Sequence, residues 1–195
     1  VQGLDVVAAP GVTAWGASGS LFSRWPLALS DAPPDWLANP FNGVRVANPE
    51  RDWWQIPDFD PAVGDIKLIW ELSRLDWVLA FAQCARQGDS ETLARLNDWL
   101  GDWCNHNPPY KGPNWKCGQE ASIRVMHLAM AAVILGQVRN VKPVLRYLVH
   151  LHLQRIAPTV QYAMAQDNNH GTSEAAALFI GGSWLAAFGQ ADGER

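Results

Sequence analysis

GQEASIRVMHLAMAAVIL, residues 118–135, decides the fold. Its polar side chains Glu120, Arg124 and His127 follow an i, i+4, i+7 spacing, so they share one stripe in the first turns, while the rest is apolar nearly all round. A helix of that kind is covered on more than one side. Residues 65–86 read the same way, with Ile66, Ile69, Trp70, Trp77 and Phe81 on one side, Leu68, Leu72, Leu75 and Leu79 on another, and Lys67, Glu71 and Arg74 as the polar stripe. Residues 172–188 are again almost wholly apolar, and His170 and Glu174 begin the same spacing.

Between these inner helices lie two of different character. Residues 90–104 carry a single stripe of Leu93, Leu96, Leu100 and Trp103, with Glu91, Arg95, Asp98 and Asp102 elsewhere. Residues 141–165 put Arg146, His150, Gln154 and Arg155 on an exposed side. The order inner, outer, inner, outer, inner predicts an all-α chain of helical hairpins. Glu71, Glu120 and Glu174 stand 49 (120 − 71) and 54 (174 − 120) residues apart, a period near 50. Inner helices separated by an outer return run parallel, so their three polar ends should meet at one end of a ring. Taken singly, Glu71 with Arg74 and Glu120 with Arg124 read equally well as intrahelical ion pairs, each worth a few tenths of a kcal/mol.

A chain of 195 residues with 48% hydrophobic and 17% charged content suits one domain, or a piece of a larger protein, with a sizeable core. The net charge of −4 supplies no global basic field to recruit nucleic acid or an anionic membrane, so an anion would have to be bound locally. The longest apolar run, 128–135, is far short of the roughly 20 residues that span a bilayer. No signal-peptide pattern follows Val1, so such a segment is either absent or removed, and the compartment stays open. Cys84, Cys104 and Cys117 lack metal-ligand spacing and read as core thiols; no metal or cofactor is expected.

Residues 1–64, rich in Pro, Gly, Trp and Asn, read as an irregular, partly packed arm with one short strand signal at 44–46, and residues 65–195 as the helical domain. Two polar segments stand out. Gln166 to Glu174 reads QDNNHGTSE and sets two amides, an imidazole and a carboxylate at the mouth of the last helix, with His170 and Glu174 one turn apart beside unsatisfied amide donors. That is a site for an anionic substrate or, on the structural reading, a helix capped by Asn169 with Glu174 complementing its dipole. The loop 105–116 offers Tyr110, Asn114 and Trp115 with Lys111 and Lys116, the mixture of ring faces and donors that suits sugars; a packed loop around a buried Trp115 is the alternative.

With these residues in order, the chain resembles the N-terminal helical domain of the heparinase II/III-like polysaccharide lyases. The resemblance covers about residues 20 to 190. It rests on Gly64-Asp65-Ile66-Lys67 leading into Trp70-Glu71-Leu72-Ser73-Arg74, on Asn107-Pro108 followed by Asn114-Trp115, on Glu120-Ala121-Ser122-Ile123-Arg124, and above all on Asn168-Asn169-His170. It implies an incomplete (α/α) toroid, followed in the whole protein by a β-sandwich, and β-elimination of uronic-acid-containing polysaccharide such as a glycosaminoglycan or alginate. Asn169 matches the amide that neutralises the uronate carboxylate. His170 matches the imidazole that serves as base or supporting donor.

Glu71, Arg74, Tyr110, Asn114, Trp115, Glu120, Arg124, Asn168 and Glu174 are then the expected substrate-binding set. The family's catalytic Tyr and a second His come from later in the polypeptide. Tyr110, Tyr147 and Tyr162 all precede the Asn-Asn-His motif, so this stretch is expected to be half an active site, completed by a missing C-terminal part, and nearly inactive alone. The expected partner is an acidic polysaccharide or oligosaccharide, and the resemblance implies a bacterial periplasmic or secreted setting. Two further readings stay open: a non-catalytic acidic-carbohydrate-binding module, and an (α/α) glycoside hydrolase using two of Glu71, Glu120 and Glu174 as acid and base.

Overall fold

The computed structural model describes residues 19–21, 25–27 and 32–192; the parts of the N-terminal arm outside these ranges, and the last three residues, lie outside the described residues. The chain is mostly helical, with α1 Lys67–Leu72, α2 Asp76–Arg86, α3 Ser90–His106, α4 Gly118–Ile134, α5 Pro143–Ile156, α6 Val160–Ala165 and α7 Asn169–Asp192. Two small antiparallel pairs precede them: β1 Gly19–Leu21 with β2 Trp25–Leu27, and β3 Phe59–Asp60 with β4 Gly64–Asp65. The strand signal at 44–46 amounts to a single bridge between Ala38 and Arg45.

Sequence signals start several helices. Asp89 caps α3 by accepting the Thr92 amide at 3.0 Å, Pro143 opens α5 where no amide donor is needed, and Asn168 Oδ1 accepts the His170 amide at the head of α7 at 2.9 Å. The cap of α7 is therefore Asn168, one residue before the position the structural reading of the sequence favours.

The single helix expected over 65–86 is broken. α1 ends at Leu72 and α2 starts at Asp76, because Leu75 adopts a left-handed conformation (φ 62°) although it is fully buried. For a non-glycine residue this costs about 1–2 kcal/mol, and the surroundings hold it. Three consecutive carbonyls at the break, which the helix would otherwise have used, are each met by a side chain. Trp77 Nε1 donates to the Leu72 carbonyl at 3.1 Å, Arg124 to that of Ser73 at 3.4 Å, and His127 Nδ1 lies 2.8 Å from that of Arg74. Trp103 Nε1 donates to the Ser73 hydroxyl at 3.0 Å.

α4 packs against α2 on one side and α7 on the other, α3 lies on α2, and α5 lies on both α4 and α7. α2 and α4 are thus the covered helices and α3 and α5 the covering ones, whereas α7, expected to be covered as well, packs on α4 and α5 and leaves its other side exposed. Gly181 permits the close approach of α7, since a Cβ there would lie 2.9 Å from Leu153 and 3.0 Å from Val125. Residues 36–66 join the same body. Trp36 packs against both Trp77 and Trp99, with centroids 5.5 and 6.0 Å away, and its indole donates to Asp102 at 2.7 Å. α7 is apolar around its circumference yet leaves Phe179 74% exposed, and Val133 and Met130 on α4 are exposed as well. The three cysteines are free and only partly buried; burial pushes the Cys104 thiol up to about 11. Among the described residues no helix is long and apolar enough to cross a membrane.

The core contains one unusual pair. Arg124 and His152 are both fully buried, and Arg124 Nε donates to His152 Nε2 at 2.9 Å while His152 Nδ1 faces the Leu148 carbonyl at 2.8 Å. Desolvation and the adjacent Arg124 cation lower the His152 pKa to about 3, so the ring is a neutral acceptor. The unfolded chain takes up that proton below about pH 6.5 whereas the native state resists until near 3, so this stability is complete above about pH 6.5 and is lost as pH falls. His152→Leu should cost about 3 kcal/mol by stranding a charged donor, and should flatten the rise of stability between about pH 4 and 6.5. Urea unfolding of both proteins across that range measures it, and parallel pH profiles would contradict it.

Candidate functional site

Two clusters of ionisable groups converge on the first turn of α4. In the first, Arg74, turned out by the break after α1, binds Glu120 through Nε (2.8 Å) and Nη2 (2.9 Å) and Glu71 through Nη1 (2.6 Å). Both carboxylates are buried, with side chains 4% and 6% exposed, and the arginine side chain is 30% exposed. Burial disfavours the guanidinium charge, but the two carboxylates outweigh it and raise the Arg74 pKa. Glu120 pairs with Arg74 at the break between α1 and α2, so the ion pair within α4 that its spacing to Arg124 suggested does not form.

The second cluster sits at the head of α7. Asn168 and Asn169 are exposed, and His170 is a partly exposed rim residue. Glu174 points inward: its side chain is 4% exposed, with Oε1 3.8 Å from His170 Nδ1, an ion-pair separation rather than a hydrogen bond. Its carboxylate rests on Gly118, where a Cβ would come within 2.5 Å of Oε1. Burial raises the Glu174 pKa, and Arg155 partly offsets this. Cys117, which precedes α4, lies between the clusters. Burial raises its thiol pKa, the amides of Glu120 and Gln119 oppose this by hydrogen-bonding to the sulfur, and the Glu120 and Glu174 charges add to the rise.

Several residues expected on the substrate face are structural. Asn114, Trp115 and Arg124 are 0–1% exposed. Asn114 donates to the Trp36 carbonyl (3.0 Å) and to Asn107 Oδ1 (2.8 Å), and Trp115 Nε1 to the Asn107 carbonyl (3.0 Å). The buried-loop alternative for 105–116 is the one the structure adopts. Arg124 donates to the Asn114 carbonyl (2.6 Å) and lies over Trp103 and Trp115; desolvation lowers its pKa to about 10, so it stays charged at neutral pH. Tyr110 is half-buried, its ring edge-on to Trp115 and its hydroxyl within reach of Leu151 O and Gln154. Glu71, Glu120 and Glu174 are likewise too buried to meet a polymer directly. Of the expected set, Arg74, Asn168, Asn169 and His170 reach the surface, as does part of Tyr110 at a separate place on the loop.

The sequence reading misplaced Arg155, which it put on an exposed side. The side chain is buried, donating to the carbonyls of Trp115 (2.7 Å) and Lys116 (2.5 Å) and stacking 3.7 Å from the Trp53 ring centroid. His152, Cys117 and Gly118 were not singled out for this site. The apolar residues surrounding His152 in sequence were its only signal. Among the described residues no group of three His, Cys, Asp or Glu could hold a metal ion. Comparisons with protein-family models, curated proteins and solved structures return no match.

The Glu71–Arg74–Glu120 cluster should behave as one unit. Arg74→Met leaves two buried carboxylates without their cation and should cost about 2 kcal/mol or more, tempered by the partial exposure of Arg74. Arg74→Met combined with Glu120→Gln should cost less than the sum of the two single changes, by about 1–3 kcal/mol. A double-mutant cycle by chemical unfolding gives the coupling, and additive costs would contradict it.

Proposed function

We propose that this chain is the substrate-binding, N-terminal part of a polysaccharide lyase that cleaves uronic-acid-containing polysaccharide by β-elimination, with its helices forming part of an (α/α) toroid. The observation that carries this reading is the head of α7. Asn168 takes the capping role, which leaves Asn169 exposed and sets His170 at the rim with a buried carboxylate behind it. Elimination requires a donor to the uronate carboxylate, which makes the C5 proton acidic, a base to remove that proton and an acid for the departing O4. Asn169 has an amide for the first task, and the N-terminal dipole of a 24-residue helix favours the same negative charge. His170 has an imidazole for proton transfer.

The remaining acid or base, on this reading, comes from a later part of the same polypeptide, acting in a periplasmic or secreted setting. The hydrolase alternative has less support: Glu71 and Glu120 are both held by Arg74, and Glu174 is 3% exposed, which leaves no facing pair of carboxyls open to a sugar.

Residues 1–195 should bind acidic oligosaccharides in preference to neutral ones of equal length by titration calorimetry, with little eliminative cleavage, followed as the ultraviolet absorbance of unsaturated uronate. In the complete enzyme Asn169→Ala should lower kcat by about 10²–10³ with a much smaller change in KM. Binding without elimination in the complete protein would favour the carbohydrate-binding module. Robust turnover by residues 1–195 would show the acid and base to be misassigned, and absence of any preference for acidic sugars would overturn the proposal.

A further inference from the structure

Glu174 is the one buried carboxylate of this region without a cation in hydrogen-bonding contact, and its Oε2 has no hydrogen-bond partner among the described residues. Such a group is costly, and its persistence calls for a reason. A role as the anion that caps α4 does not supply one, because the amides of Gln119 and Glu120 are directed to the Cys117 sulfur. The charged or titratable groups facing it are His170 on its own helix, Arg155 on α5 and Cys117 ahead of α4; three of the five Arg155 donors go to the Trp115 and Lys116 carbonyls and the Thr159 hydroxyl, and Arg155 acts on Glu174 through its charge rather than through a hydrogen bond. His170 remains, one turn away, with Nδ1 3.8 Å from Oε1.

We propose that Glu174 is a positioning residue for His170: seated on Gly118, its carboxylate holds the imidazole with Nδ1–H turned inward, so that Nε2 presents its lone pair at the open rim. Gly118 is the other half of the device. A Cβ at that position would stand 2.5 Å from Oε1, 2.8 Å from Cδ and 3.0 Å from Oε2, so the carboxylate occupies space that any larger residue would fill. A small rotation of either side chain closes 3.8 Å to a hydrogen bond, as pairs of this kind do when substrate arrives. A carboxylate behind one ring nitrogen fixes both the tautomer and the direction of the other. The catalytic meaning of the pairing rests on the elimination reading above; the pairing itself does not.

The test is the tautomer of His170 in residues 1–195 at neutral pH, from long-range proton–nitrogen spectra of the imidazole, assigned by its loss in His170→Gln. The Nδ1–H form should predominate. Glu174→Ala should turn the majority to Nε2–H, the form that an unconstrained histidine side chain favours, and Glu174→Gln should keep Nδ1–H because the amide oxygen still accepts. Gly118→Ala should act like Glu174→Ala with the carboxylate still in the sequence. It displaces only the tip of a flexible side chain, and alanine suits a helix better than glycine, so this variant should fold even if Glu174→Ala does not. An unchanged tautomer in folded Gly118→Ala or Glu174→Ala overturns the proposal. Elimination assays on the complete enzyme separate the two claims: a Glu174-dependent tautomer in a protein that never eliminates sinks the lyase reading alone.

Discussion

Arg124 is a fully buried cation whose hydrogen bonds go to neutral acceptors, and the arrangement of the helices around α4 depends on it. Its guanidinium donates to His152 on α5, to the Ser73 carbonyl at the break between α1 and α2, and to the Asn114 carbonyl in the loop that leads into α4. One side chain thus ties α4 to three neighbours. A cation without solvent is tolerable only when its donors are met, and each acceptor has been prepared for it. His152 is kept neutral by burial, Asn114 is locked by Asn107 and Trp36, and Ser73 is freed from helical bonding by the left-handed Leu75. The indole faces of Trp103 and Trp115, 5.2 and 5.7 Å away, complete the surroundings.

What lies on the rim follows from that anchoring. The break held by Arg124 is also what turns Arg74 out of helical register and onto Glu120, two residues along α4 from the Gly118 on which Glu174 rests. The α1–α2 corner and the head of α7 therefore meet over one helical turn. Their buried carboxylates lie inward, and Arg74, Asn168, Asn169 and His170 lie outward. On the proposed reading, Arg74 and the exposed amides of Asn168 and Asn169 are local donors for an anion, which fits a chain whose net charge of −4 supplies no basic surface.

The helices were legible because an apolar circumference marks a helix apart from a striped one, although α7 shows that such a helix is not always covered on two sides. Residues 118–135 and 172–188 could be told from the striped 90–104 by composition around the circumference alone, and α4, α7 and α3 follow those readings closely. The break at residues 73–75 was not legible. Ser-Arg-Leu carries no Gly or Pro, and the left-handed Leu75 is imposed by Trp77, Trp103, Arg124 and His127, three of them on other helices. Arg155 was misread because periodicity assigned it to an exposed side, and Arg124 because its polar stripe was read as facing a cleft; in both cases only tertiary structure reveals carbonyls waiting inside. Asn114 and Trp115 look like sugar contacts by residue type. The Asn107–Asn114 hydrogen bond that buries them joins positions whose relation depends on how the loop folds. The shift of the cap from Asn169 to Asn168 is one residue, and it decides which of two exposed amides is engaged in capping.

The central claim is that the head of α7 and the Arg74 corner form one binding rim. It is tested most directly by titrating a short oligouronate into isotope-labelled protein and mapping the perturbed resonances. The account predicts shifts at Asn168, Asn169, His170 and the Arg74 side chain, with the Trp115 indole and His152 ring unmoved. Perturbations gathered instead on the far ends of α4 and α7, around Val133 and Trp184, would contradict it.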